Sequence, residues 1–513
     1  MEGSRTHNVI KNISWSVFLQ TALMLFQFVI RSFFIRYLGR EYLGLSGLFT
    51  DILWILDLAN LRVPESIMLS MYKPLAEKNL EKVHTLVHLI GKAYTIIMII
   101  VMALGLAMIP LLPFFIKDPP VIPESFTIIY LFYLFHAVVT YFCSYKHSII
   151  FADQKNYVVN IYQKVFHFLQ IILQLVVLIT LKNFYIFLSV QIFCTLVMNI
   201  LATKKAEKMY PYIKGKSSYK LKKEEITEIV TNIKSMFIYS IGAITITGVD
   251  SIMVSSIVSI GMLGLCSNYL LIIDSLRTLI DQAMKGFTAS IGNFNAEEGG
   301  ESSEETFNLI FFIVFFVNAF CAINLTVSLN ALITAWLGAS FLLSNAIIIA
   351  LALRFYTIGT QYITFTFRST SGLLKRFRYI PLITAAVNIS SSILMGHYFG
   401  VSGIFFSSSI SIFFFTILPE AYLLYSCKFH KNFFVFVLRY LSYLLFMAAN
   451  YLITDKLLSR FVFTGWTGFF KKAVLGALIS GSIFIIVFFK NRNFRDICSR
   501  LLYIIKGNKI ENK

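Results

Sequence analysis

The sequence predicts an all-α polytopic membrane protein, and three observations carry that prediction. The chain of 513 residues is 57% hydrophobic and only 14% charged, with mean hydropathy +0.74. Soluble domains carry about 25% charged residues. Its apolar runs are also continuous over about 20 residues, the length of a membrane helix, instead of alternating over about ten as in a barrel. Finally, the net charge of +19 is concentrated between alternate runs, as the enrichment of Lys and Arg in cytoplasmic loops requires, so nucleic acid is excluded as a partner.

Fourteen spans are expected, near 12–38, 43–72, 85–116, 125–148, 158–181, 183–203, 235–258, 261–286, 306–336, 341–367, 380–399, 401–426, 432–454 and 467–489. An even number leaves both ends on one side. About 31 of the 45 Lys and Arg fall in the two tails and the loops on that side, against about eight opposite, so both termini are expected to be cytoplasmic. The basic start leads into a span too long for a cleavable signal. The six cysteines are scattered, without disulfide or zinc spacing.

The first span places Gln20, Gln27 and Arg31 on one helical face, and Arg36 near its outer end is expected to snorkel to the headgroups. The second span is the one around which the chain is organised. It carries Asp57, Asn60, Arg62 and Glu65 at mid-depth, where each charge costs roughly 2.5–3.5 kcal/mol unless it faces protein or water. Pro64 among them favours a bend or an unwound segment. Pro110 and Pro113 end the third span, ahead of a Pro-rich outer turn at 117–124. The fifth span lines up Lys164, His167, Gln170 and Gln174 on one face.

Residues 204–234 form the longest hydrophilic stretch, a basic cytoplasmic linker containing an amphipathic pattern at KLKKEEITEIVTNIK, suited to anionic lipid. Asp250 lies in the seventh span. In the eighth, Asp274, Arg277 and Asp281 share a face, so the arginine can pair with either carboxylate. Arg354 is central in the tenth span. Pro381 and Pro419 are expected to break the eleventh and twelfth spans, which meet in a tight turn at Gly400–Gly403. The last two spans have no buried charge near their centres, and a basic tail follows at 490–513.

The second span recurs. Shifted by 220 positions, residues 43–81 give nine identities in a gap-free window of 39, including Leu43-Gly44-Leu45 on Leu263-Gly264-Leu265 and Ala76-Glu77 on Ala296-Glu297. Asp57 then aligns with Arg277. Internal duplication is the usual build of transporters. The domains expected are an N-lobe at 1–203, the linker at 204–234, a C-lobe at 235–426, two further helices at 427–489 and the tail. No phosphate-binding loop, dinucleotide glycine pattern, HExxH or Cys/His cluster is present, and no outer loop exceeds about a dozen residues, which speaks for transport over catalysis.

Several stretches, taken in order, resemble the bacterial polysaccharide transport family: RTHNVIKNISW, YLGREYLGLSGLFTDIL, SMYKPLAEKN, ADQKNYVVNIYQ, KKAEKMYPY, VDSIMVSSIVSIGMLGLCSNYLLII and SIGNFNAEE. The family holds O-antigen and capsule repeat-unit flippases, within the multidrug/oligosaccharidyl-lipid/polysaccharide exporter superfamily. The resemblance implies about 14 transmembrane helices, with two pseudo-symmetric six-helix lobes in a V and two C-terminal helices. It implies a flippase that carries undecaprenyl-pyrophosphate-type lipid-linked oligosaccharide repeat units across the plasma membrane by alternating access. A polysaccharide polymerase and glycosyltransferases are the implied partners.

Arginines of the first, second and eighth helices hold the headgroup in related lipid II flippases. By helix, that role falls here to Arg31, Arg62 and Arg277, with Arg354 and Lys164 as further cations. Asp57, Asp250 and Asp274 are the candidates for a coupling proton or Na⁺, or for ion pairs; no other cofactor and no resident metal is expected. The chain departs from the family where relatives carry small residues in the second span and it has Arg62, Pro64 and Glu65. The alternative reading, a cation-coupled multidrug exporter of the same fold, needs a carboxylate-rich cavity.

Overall fold

The computed structural model describes residues 23–57, 63–215, 219, 221–297, 300–371, 373, 379–496 and 499. Among these residues the chain is helical, with no strand. We number the helices α1 (23–37), α2 (Arg40–Leu56), α3 (Val63–Leu69), α4 (Tyr72–Ala76), α5 (Leu80–Met108), α6 (Phe126–Tyr141), α7 (His147–Ala152), α8 (Tyr157–Thr180), α9 (Phe184–Met209), α10 (Lys223–Met253), α11 (Ile260–Glu297), α12 (Gly300–Leu337) and α13 (Asn345–Thr370). The remaining helices are α14 (380–399), α15 (401–412), α16 (Leu418–Leu424), α17 (Phe433–Leu458) and α18 (Gly465–Phe488). Ten stretches of the described residues are long and apolar enough to cross a membrane. This is a multi-pass membrane protein.

The spans differ from simple rods in ways that the prolines and polar residues explain. In the second span the described residues form α2, which ends at Leu56, and α3, described from Val63 and carrying Pro64; residues 58–62 between them lie outside the described residues. The fourth span breaks at 142–146, where Cys143 adopts a left-handed conformation (φ 63°). The carbonyls freed there are met by α9: Asn199 donates to Val139 O (2.9 Å) and Thr140 O (3.2 Å), and Thr203 to Cys143 O (2.8 Å). A broken helix at membrane depth needs such partners.

Pro381 does not break the eleventh span; it sits in the first turn of α14. Gly400 (φ 61°) turns the chain back into α15, so α14 and α15 form an antiparallel hairpin. Its seam is polar, with Ser391 Oγ and Ser407 Oγ 2.6 Å apart and Thr384 Oγ1 and Thr416 Oγ1 2.9 Å apart. Around Pro419 the twelfth span carries two π-helical turns, Phe413–Ile417 and Tyr425–Phe429, which bracket α16.

The contacts divide the chain into two compact units, Met1–Ser267 and Asn268–Lys513, so the boundary falls inside α11. The first unit shows why. A Cβ on Gly44 of α2 would lie 2.2 Å from the Ile260 carbonyl oxygen, and one on Gly264 of α11 would lie 2.2 Å from that of Arg40. Residues 40 and 260, like 44 and 264, are 220 apart. The duplicated Leu-Gly-Leu segments therefore cross one another as equivalent partners, each glycine against the other helix's backbone. This close approach pins the start of α11 to the first unit. Lys117 adds to it, its N–H donating to Ser255 O (3.1 Å) and its Nζ to Ile257 O (2.6 Å).

α10 runs unbroken from the linker into the seventh span. Ile229 is buried in a cluster with Ile67, Met71, Val83, Leu86 and Val87, so the linker's apolar stripe packs on protein at that point. In the second unit, Phe307, Phe311 and Phe315 recur every four residues along α12 and stack on α17 and α18; Phe315 and Tyr443 are parallel with centroids 3.9 Å apart. This aromatic seam joins the last two helices to the second unit.

Candidate functional site

The polar stripes of the first and fifth spans meet in the first unit. Gln27 of α1 lies 3.4 Å from His167 Nε2 of α8, and beside them Phe26 packs edge-on against Phe168. One turn along α1, the Arg31 guanidinium donates to Ser267 Oγ at 2.5 Å. Arg36, by contrast, is exposed. Gln170 and Gln174 bond to each other (3.3 Å), and Gln174 donates to Phe187 O (3.1 Å). Lys164 is half-buried on the same face of α8 and has no ion-pair or hydrogen-bond partner among the described residues. A lysine in that position has its charge available to an anion.

The second unit holds the other cationic group. Arg277 of α11 makes an ion pair with Asp281 (2.9 Å) and donates to the carbonyls of Ile358 (2.9 Å) and Phe355 (3.4 Å) on α13. Of the two carboxylates within helical reach, the arginine takes Asp281. Asp274, one turn earlier, is solvent-accessible and feels both Arg277 and Arg354. Arg354 is half-buried on α13, with its guanidinium 6.0 Å from the Phe405 ring. Two guanidinium groups and two carboxylates thus come within electrostatic reach of one another on the middle turns of α11 and α13. Arg277 keeps one edge on protein, which fixes its orientation.

Asp57 caps the end of α2 and is half-buried. Asp250 is 2% exposed near the end of α10, just before the π-helical turn Val254–Val258. Arg62 lies outside the described residues, as do Asn60 and the Glu65 side chain.

One charged pair escaped the sequence reading. Arg368 at the end of α13 and Glu420 in α16 form a fully buried ion pair (Nε to Oε1 3.2 Å; 0% and 1% exposed), and Thr364 donates to the other carboxylate oxygen at 2.5 Å. The signal was a polar i, i+4 pair, Thr364 and Arg368, with an acid beside the proline of the twelfth span. The first unit has a counterpart in Lys146, at the end of the fourth span, paired with Glu207 on the sixth. In span order tenth with twelfth corresponds to fourth with sixth, so each half carries a base-to-acid tie between the same pair of spans.

The sequence matches no protein-family model and no curated protein. Solved structures do match. The lipid II flippase MurJ, in an inward closed conformation, aligns with TM-score 0.65 and 19% identity over 93% of this chain and 99% of its own. An inward-facing multidrug-resistance MATE transporter of the MOP superfamily gives TM-score 0.60 at 13% identity, over 78% and 93%. A third match, the MATE multidrug transporter DinF-BH, gives 0.54 at 16%, over 83% and 97%. At these identities the likeness establishes the fold alone, the one these three structures have in common. These neighbours are a flippase and two multidrug transporters.

Proposed function

We propose that this protein is a flippase that moves polyprenyl-pyrophosphate-linked oligosaccharide repeat units from the cytoplasmic to the outer leaflet by alternating access, in surface polysaccharide synthesis, with both termini cytoplasmic. The observation that carries the reading is that Arg277 and Arg354, near the middles of α11 and α13, lie within electrostatic reach of each other in the second unit, one oriented by protein carbonyls and the other half-buried. Arginine offers planar, paired donors that match phosphate oxygens, and a dry setting strengthens such bonds. Lys164 and Arg31 supply cations in the first unit. The MurJ likeness supports a lipid-linked cargo. The test is complementation of a deletion strain that makes its own polymer. Arg277→Ala and Arg354→Ala are expected to abolish surface polysaccharide at unchanged protein level, and Arg277→Lys to restore little of it. Normal polymer from both alanine variants contradicts the assignment.

A cation-coupled multidrug exporter is the second reading. It is favoured by the MATE neighbours and by the accessible carboxylate of Asp274 and the buried one of Asp250. A deletion strain with unchanged polymer and raised sensitivity to cationic drugs selects it.

A further inference from the structure

The turn between α17 and α18 carries a charge pattern that the flippase reading does not use. Membrane proteins are depleted of Lys and Arg on the outer face, and only about eight are expected there in this chain. Four of them, Lys456, Arg460, Lys471 and Lys472, lie within one hairpin. Lys456, Arg460 and Lys471 are exposed; Lys472 is half-buried, with Nζ 5.9 Å from the Phe463 ring centroid. Asp455 is the one acid near them, within electrostatic reach of Lys472.

Large apolar side chains alternate with these cations. Phe461 (58%), Val462 (92%), Trp466 (49%) and Phe470 (59%) are exposed at the tip and in the first turns of α18. In water that surface is unfavourable; at the boundary of headgroups and acyl chains it is the expected one. The backbone contributes as well. A Cβ on Gly468 would lie 2.7 Å from the Phe463 carbonyl carbon, so the turn folds tightly onto α18. Thr464 makes no side-chain cap, leaving the first N–H groups of this helix to an outside acceptor. Directly after Lys472, Ala473 and Phe469 open into an apolar groove of about 240 Å³ between α11, α12 and α18, also lined by Ile272, Leu276, Phe320 and Leu325.

We infer that the α17–α18 turn and the groove beneath it bind an anionic phospholipid of the outer leaflet. The cations and the open end of α18 take the phosphate, and one acyl chain lies along the groove. The inference rests on the proposed orientation for the word outer, but not on the cargo.

The full chain, purified in detergent, is tested by thermal unfolding and lipid co-purification with phosphatidylglycerol, phosphatidylcholine or inorganic phosphate. Phosphatidylglycerol is expected to be retained at least three-fold over phosphatidylcholine and to raise the melting temperature; inorganic phosphate is expected to do neither. The exposed-site variant Lys456→Gln/Arg460→Gln/Lys471→Gln loses the preference, and Ala473→Phe, which fills the groove, weakens lipid retention while leaving Lys471 and Lys472 in place. Equal retention of the two lipids, or an unchanged preference in both variants, overturns the inference. Protection by inorganic phosphate alone makes this a phosphate site and overturns it too. Separately, Thr464→Cys in intact cells reports the side: labelling by a membrane-impermeant maleimide is expected, and its absence overturns the orientation but leaves lipid binding standing.

Discussion

The crossing of α2 and α11 permits a prediction in which two mutations must know about each other. Alanine at Gly44 brings a methyl carbon to 2.2 Å from the Ile260 carbonyl oxygen, and alanine at Gly264 does the same to Arg40. Ordinary carbon–oxygen contacts begin above 3 Å, so either methyl must drive the helices apart by about 1 Å, since backbone on both sides cannot rotate away as a side chain does. Overpacking of this kind costs about 1–3 kcal/mol. Once one methyl has parted the helices, the second enters space already opened, because the two contacts are related by the 220-residue repeat. The double variant is therefore expected to cost less than the sum of the singles, by at least about 1 kcal/mol. The assay is thermal unfolding in detergent of the wild type, both singles and the double, read as a double-mutant cycle. Strict additivity, or singles that unfold like wild type, refutes the reasoning that one close approach holds both segments.

Two further predictions concern charge. Arg368→Ala leaves Glu420 buried without its partner and is expected to destabilise by about 3–5 kcal/mol, whereas Arg368→Met with Glu420→Leu together is nearly neutral; the yield of monodisperse protein in size-exclusion chromatography reads the difference, and equal loss in both contradicts it. At the start of α10, hydrogen bonds from Lys82 and from the Lys222 N–H hold the Glu225 carboxyl below the usual carboxylate range. A lowered folded value means the tie contributes fully above the ordinary pKa of 4.5 and is lost as pH falls through it toward the folded value. Amide exchange in the first turns of α10 is expected to rise on acidification across that window beyond its intrinsic change, and Glu225→Gln is expected to remove the pH dependence.

The fold was legible because its signals are long and redundant: apolar runs of membrane length, prolines at span ends, and a repeat whose Leu-Gly-Leu core proved to be a physical contact. The polar stripe of the fifth span was legible for the same reason, since steps of three and four residues put Lys164, His167, Gln170 and Gln174 on one face. Other features depend on contacts that no local pattern records. Asp274, Arg277 and Asp281 share a face, but the choice of Asp281 depends on carbonyls of Phe355 and Ile358 some 80 residues away. The Arg368–Glu420 tie joins residues 52 positions apart (420 minus 368) and sits at the end of α13, where isolated charges ordinarily reach solvent. Pro381 was misplaced because a proline marks a helix start or a break equally well, and only the neighbouring turn decides which. The amphipathic helical pattern at 220–234 was legible, but its continuation without a break into the seventh span was not, because the basic composition of its first turns marks a surface stretch and only the cluster around Ile229 shows that it packs on protein.

The measurement that bears most directly on the proposed function is the location of lipid-linked oligosaccharide in cells lacking this protein. Leaflet-resolved labelling of the repeat unit, in spheroplasts of the deletion strain complemented with wild type or Arg277→Ala, separates synthesis from translocation. The flippase reading predicts that the repeat unit builds up on the cytoplasmic leaflet without the protein and with Arg277→Ala, and clears with wild type. Repeat units reaching the outer leaflet at the wild-type rate in the deletion strain contradict it.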